Sequence, residues 1–259
     1  KINKGPKSAI NFKVDLLMVK KFFIFFILIF LQSSHLYSRE FSYDVYGLNI
    51  NFVNLKLNIS EKKIFSKIDS RGLIGYFFSF KNIIQTPYDN KITEYYFNLK
   101  KGGKEKNYQF KSINGLIDFK NVKLNKGKNF KLIKRVDLKD AIDPLTALNK
   151  IFYSNKINSK CNLNERIYDG DDVYEVYFRP MKKLKKEIII EGKKYPIHQA
   201  CSLNYKAISG HKLSREKDLN SRYLNVYFAK QEDTFVPVYF DTKLKILSLK
   251  MYLSTIVKP

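Results

Sequence analysis

The chain has 259 residues, is 44% hydrophobic by a broad count and carries a formal net charge of +24. That length can bury a sizeable core, and the apolar content excludes a wholly disordered chain. With 11 Gly, 2 Cys and no heptad run, collagen, coiled coil and disulfide-rich mini-protein are excluded as well.

The first Met is Met18. From there the chain reads Met18-Val19-Lys20-Lys21, an unbroken apolar run Phe22–Leu31, then Gln32-Ser33-Ser34. A positive start, a short apolar run and a polar end make a secretory signal peptide. The expectation is an over-extended translation over 1–17, a signal peptide over 18–38 cleaved after Ser38, and one antiparallel β domain over 39–259. The alternative is an uncleaved N-terminal anchor, although a spanning helix needs roughly 20 apolar residues. The expected location is the periplasm.

The rest of the chain is dominated by alternation with period two. Val53, Leu55, Leu57 and Ile59 alternate with Asn54, Lys56, Asn58 and Ser60. Leu247, Leu249, Met251 and Leu253 alternate with Ser248, Lys250, Tyr252 and Ser254. Strands of this kind put one face on a core and one toward water, as antiparallel sheets do. Further strands are predicted over 41–46, 93–100, 107–112, 117–124, 172–178, 186–191, 197–208, 223–229 and 235–241. Turn signals fall between them at Lys101-Gly102-Gly103-Lys104, Asp169-Gly170-Asp171-Asp172 and Glu191-Gly192.

Two segments break the pattern. Asp143 can cap a helix and Pro144 fits its first position, after which Leu145, Leu148 and Phe152 share one face. Arg71–Phe80, with Leu73, Ile74 and Phe77, is apolar almost all round. It reads as a plug in the core or a lip over an apolar cavity.

The basic balance is carried by Lys with few Arg, in a chain rich in Asn, Ile, Phe and Tyr. That is the signature of A/T-rich codons rather than of a nucleic-acid groove, which favours the planar Arg fork. No nucleic-acid partner is expected. Cys161 and Cys201 are the two cysteines. In an exported chain they read most simply as a disulfide, with free or redox-active thiols and a metal site as alternatives.

Several stretches together resemble the bacterial exported family known as domain of unknown function 3108. They are Asp143-Pro144-Leu145-Thr146-Ala147-Leu148, Cys161 followed by Arg166-Ile167-Tyr168-Asp169-Gly170, Cys201 in a later strand, and Ile208-Ser209-Gly210. Arg71-Gly72-Leu73-Ile74 and Phe235-Val236-Pro237-Val238 echo two more of its segments. Ser209 and His211 depart from the family pattern. The resemblance spans roughly residues 41–257. It implies a mainly β fold, a strongly curved antiparallel sheet or open β-barrel with one or two short helices. It also implies that Cys161 and Cys201 are paired. It supplies no activity.

No catalytic residue, cofactor or metal is expected. His198 lies near Ser202 and His211 near Ser214 in sequence, but nearness is not a triad. Tyr205, Asp169 and Glu175 are acids and bases that nothing singles out. The favoured reading is a non-enzymatic binder of an apolar, lipid-like or anionic envelope component, or of an envelope protein. A structural or assembly factor and a hydrolase with an unrecognised site are the alternatives. The lining of an apolar cavity is expected from Val53, Leu55, Leu57, Ile59, Leu73, Ile74, Phe77, Leu145, Leu148, Phe152, Leu247, Leu249, Met251 and Leu253.

Overall fold

The computed structural model describes residues 39–257 except 61–62, 72–79, 90–91, 102, 114–115, 119–126, 154–160, 183–184, 232–233 and 244–247. The expected leader and signal peptide, and Leu73, Ile74, Phe77 and Leu247, lie outside the described residues.

The strands are β1 (Arg39–Gly47), β2 (Ile50–Ile59), β3 (Lys63–Ser70), β4 (Phe80–Asp89), β5 (Ile92–Lys101), β6 (Lys104–Ile113) and β7 (Leu116–Ile117). After them come β8 (Asn164–Tyr168), β9 (Val173–Pro180), β10 (Glu187–Ile190), β11 (Lys193–Ser209), β12 (Tyr223–Gln231), β13 (Thr234–Lys243) and β14 (Ser248–Val257). The described α-helices are α1 (Pro144–Tyr153) and the single turn α2 (Glu216–Asn220). All strands join one antiparallel sheet in the order β7-β6-β5-β4-β3-β2-β1-β14-β13-β12-β11-β9-β8, with β10 paired to β11 beside that path. Among the described residues the fold is therefore mainly β, one curved open sheet with two short helices. The strands β3, β4 and β8 were not anticipated from the sequence. The strand expected over 117–124 is described only at Leu116–Ile117.

Register carries one face of the sheet across its whole width. Phe178, Leu203, Val226, Phe240, Met251, Leu253, Tyr43, Leu55, Leu57 and Ile64 share that face, and so do Ile84, Phe97, Tyr95 and Phe110. Most of them are buried. The same register places Tyr168 and Val173 on the opposite face of β8 and β9 from Val176 and Phe178. Yet Tyr168 and Val173 are buried against Tyr95 and Phe110. The two ends of the sheet thus overlap face to back, with the β8–β9 end lying inside the β5–β6 end. Among the described residues the sheet is rolled, not closed by backbone pairing.

Contacts along this overlap are made by side chains. The Phe110 and Tyr168 rings lie 4.9 Å apart, and Lys106 Nζ lies 2.9 Å from Asp171 Oδ2. Gly170 sits at φ +97°, and a Cβ there would lie 2.7 Å from Tyr108 Cβ, so only glycine fits this approach. The segment before α1 seals the edge. The Ile142 N–H donates to the Arg166 carbonyl, the Tyr168 N–H donates to the Ile142 carbonyl, and Ile133, Leu138 and Ala141 are buried beside Tyr168.

Helix α1 lies inside the roll. Asp143 accepts the N–H groups of Leu145 and Thr146 at 2.9 and 3.0 Å, which is the expected cap. Leu145 and Ile151 join the main core, and Phe152 packs on Phe41 with centroids 4.8 Å apart. Ala147 on another side of the helix packs on Ile167 and Val176. Leu145 and Ile151 each contribute about 1.5–3 kcal/mol by this burial. Cys161 and Cys201 form a disulfide with a Cα–Cα distance of 5.4 Å, and both are buried in the main core. It ties the chain after α1 to the middle of β11.

On the other face, Tyr227, Tyr239, Tyr252 and Tyr46 form a row with successive centroids 5.2, 4.9 and 5.6 Å apart. The Lys185 ammonium lies 4.5 Å from the Tyr239 centroid and 5.4 Å from that of Tyr227. The hairpin β10–β11 lies against this face, where Ile189 and Ile190 meet Asp44, Tyr46 and Tyr252 around a small hollow. Burial pushes the Tyr227 hydroxyl up to about 12.

Candidate functional site

The rolled sheet leaves a cleft of about 430 Å³ beside α1. One wall is the helix, with Pro144, Ala147, Leu148 and Ile151. The floor comes from β8, β9 and β11, with Ile167, Tyr174, Val176, Leu203 and Tyr205. These floor residues are neighbours because register pairs Ile167 with Tyr174 and Val176 with Tyr205. The far wall is Leu219 on α2 with Arg215 and Arg222 on either side of that helix, and Leu163 completes the lining. The volume lies within the roughly 300–1,000 Å³ typical of small-molecule sites, and the lining is mainly apolar with polar groups gathered at one end.

That polar end has a defined structure. The Tyr174 and Tyr205 rings stack with centroids 4.6 Å apart and planes at 23°. Burial raises both hydroxyls well above their ordinary value, so both remain donors at neutral pH. The carboxylates of Asp172 and Asp169 reinforce the shift of Tyr205, and the guanidiniums of Arg222 and Arg215 oppose it. Asp169 Oδ1 accepts the N–H groups of Asp171 and Asp172 at 2.9 and 2.8 Å. This Asx turn matches the turn expected at 169–172. Arg222 Nη2 donates to Asp218 Oδ2 at 3.0 Å. Arg215 is exposed and makes no ion pair among the described residues.

A second cavity of about 660 Å³ lies under the β10–β11 hairpin, where Ile190, Tyr195, Phe41, Leu253, Val236 and Ile256 alternate with Arg39, Lys193, Glu191 and Thr234. Arg39 there donates to Thr234 Oγ1 at 3.0 Å.

The residues expected to line a cavity are distributed among three environments. Leu57, Ile59, Leu145 and Leu253 are in the main core, with Leu55, Leu148, Phe152 and Met251 packed half-buried against it. Val53 is buried and Leu249 is half-buried on the same sheet face. Leu148 also faces the 430 Å³ cleft, and Leu253 the 660 Å³ cavity. The floor residues Ile167, Tyr174, Val176 and Leu203, and the α2 wall, were missed. Five residues are too few to show a helical period, and nothing in the local pattern announces that α2 folds back onto β11.

Of the acid–base candidates, Tyr205 and Asp169 line the 430 Å³ cleft together, whereas His198, His211 and Glu175 do not line it. His198 is exposed, and its Nδ1 lies 3.3 Å from the Lys230 N–H. His211 is buried with Nε2 3.7 Å from Glu216 Oε2, and Glu216 in turn holds Lys131 at 2.7 Å. Glu175 bonds Arg166 and Lys206, which lowers its carboxyl below the usual range. Among the described residues no group of three or more His, Cys, Asp or Glu is placed to hold a metal ion. No described helix is long and apolar enough to cross a membrane.

No family model matches the chain, and no curated protein matches it. Among solved structures, a β-barrel-like protein of domain of unknown function DUF1849 from Brucella abortus is similar at 10% identity. That match covers 86% of this chain and 98% of that one, with a TM-score of 0.48. A DUF1329 family protein from Desulfovibrio piger matches at 9% identity over 88% of each chain, with a TM-score of 0.20.

Proposed function

We propose that the protein is an exported periplasmic domain that binds the apolar part of a lipid-like envelope component in the cleft between α1 and the β8–β9–β11 floor. The observation that carries this reading is the cleft itself. It is a concave space of about 430 Å³, walled by aliphatic side chains from five separate elements, α1, α2, β8, β9 and β11, and polar at one end only. The charged start, apolar run and polar end of residues 18–38 support export. The order of motifs from Asp143-Pro144-Leu145 to Phe235-Val236-Pro237 supports membership of the domain of unknown function 3108 family.

The test is native mass spectrometry of the protein expressed from the full chain and recovered from the periplasmic extract as its host processes it. The expected result is a mature mass beginning near Arg39 plus a co-purifying species released by lipid extraction. A ligand-free mass, together with no uptake of added long-chain alkyl compounds, would overturn the binding reading.

A second reading, a docking factor for an envelope protein, is favoured by β10. Among the described residues β10 pairs only with β11, and Ile189 on it is 57% exposed. A strand with an open edge and an apolar side chain is a template for β-addition.

A further inference from the structure

We infer that the ligand of the cleft carries an anionic head, held at the mouth by Arg215, Arg222 and the Tyr205 hydroxyl. This rests on the binding reading above and adds the class of head group to it. The apolar walls by themselves accept any alkyl chain and do not distinguish a neutral from a charged compound. The distinction comes from the polar end.

Both guanidiniums line the same cleft as Leu219, which lies between them in sequence. Arg222 uses one nitrogen on Asp218 at 3.0 Å. Arg215 has no carboxylate partner among the described residues. A guanidinium has five donors in a planar fork, so one partner carboxylate leaves this pair with donors to spare. The fork matches the two oxygens of a carboxylate or phosphate. Tyr205 adds a hydroxyl donor on the floor below.

The carboxylates at this end are Asp169 and Asp172. Asp169 spends Oδ1 on two backbone N–H groups of its own turn. Asp172 lines the same cleft, and its charge would oppose an anion, so the sign of the preferred head is a sharp test.

The experiment compares four probes with one tail: dodecanoate, dodecyl phosphate, dodecanol and dodecyltrimethylammonium. Binding to the processed full-length product is read by native mass spectrometry and isothermal titration. One or both anions are expected to bind about tenfold tighter than the alcohol, and whichever anion leads identifies a carboxylate or a phosphate head. Arg215→Gln and Arg222→Gln are each expected to bring anion and alcohol to within about twofold of one another. Should loss of the Asp218 pair unfold the Arg222 variant, exposed Arg215 decides the matter alone. Equal binding of anion and alcohol, or tighter binding of the ammonium compound, would overturn the head assignment and leave the apolar cleft standing. Failure of all four probes would instead overturn the binding reading beneath it.

Discussion

Phe110 on β6 and Tyr168 on β8 pack with ring centroids 4.9 Å apart, although their strands stand near opposite ends of the sheet. The contact joins the concave face of one end to the back of the other. It makes the sheet a roll and shapes the interior into which α1 fits.

Closure by packing has a consequence for mutation. Phe110→Ala removes a ring that is 3% exposed and leaves a cavity at the overlap. The expected loss is about 3–5 kcal/mol. Lys106→Ala removes the half-exposed ion pair to Asp171 and the ammonium 4.7 Å from the Tyr108 ring centroid, for an expected loss of about 0.5–2 kcal/mol. Urea denaturation of both variants checks the contrast. Comparable losses would mean that charge, not apolar packing, holds the overlap.

Joining Cys161 to Cys201 closes a loop with a sequence separation of 40. On the chain-entropy account a loop of this size restricts the unfolded state by about 4 kcal/mol. The double variant Cys161→Ser, Cys201→Ser is expected to lose that much in urea. Added reductant should lower the stability of the native chain and leave the variant unmoved.

Tyr43 is fully buried, and its hydroxyl donates to the Pro237 carbonyl at 3.0 Å, reaching from β1 across β14 to β13. Tyr43→Phe keeps the ring against Phe240 and leaves that carbonyl without this donor. The expected loss is about 1–2 kcal/mol, measured by thermal unfolding. Tyr43→Leu should cost more, because ring contacts vanish as well.

The β1–β2 hairpin turns through Leu48 at φ 52° and Asn49 at φ 62°. Asn tolerates this region, but Leu does so at a cost. Leu48 is also 78% exposed, so its side chain gains little from packing. Leu48→Gly is expected to raise stability by up to about 1 kcal/mol, read as a higher melting temperature. A lower melting temperature would show that Leu48 is held by contacts rather than strained.

Asp169 gives a pH dependence with a definite sign. Burial raises its carboxyl above the usual range, although the Asp172 and Asp171 N–H bonds pull it down. A carboxyl raised on folding contributes stability that is complete below its unfolded value and is lost as pH rises through its folded value. Asp169→Asn keeps an oxygen acceptor for both N–H groups and removes the charge. The variant is expected to melt higher than the native protein at pH 7, with the difference fading below about pH 4. A variant that melts lower at pH 7 would mean that the charge itself holds the turn.

Much of the fold is written in consecutive residues. Val53 to Ile59 alternate apolar and polar, and that alternation suffices to place β2 with one face inward, because strand side chains repeat every two residues. Asp143 and Pro144 mark the start of α1, because an oxygen acceptor and a preset φ are what a first helical turn lacks. The disulfide follows from two cysteines in a chain that resembles an exported family. The cleft is different. Its floor pairs Val176 with Tyr205, its walls come from Leu148 and Leu219, and its mouth is made by Arg215 and Arg222. These residues are far apart in the chain and share no local period. They meet because strand register and the overlap at Phe110 and Tyr168 roll the sheet around α1. Periodicity along the chain determines which face of each strand is buried. Only the rolled sheet decides which buried faces meet, and so where a space remains between them.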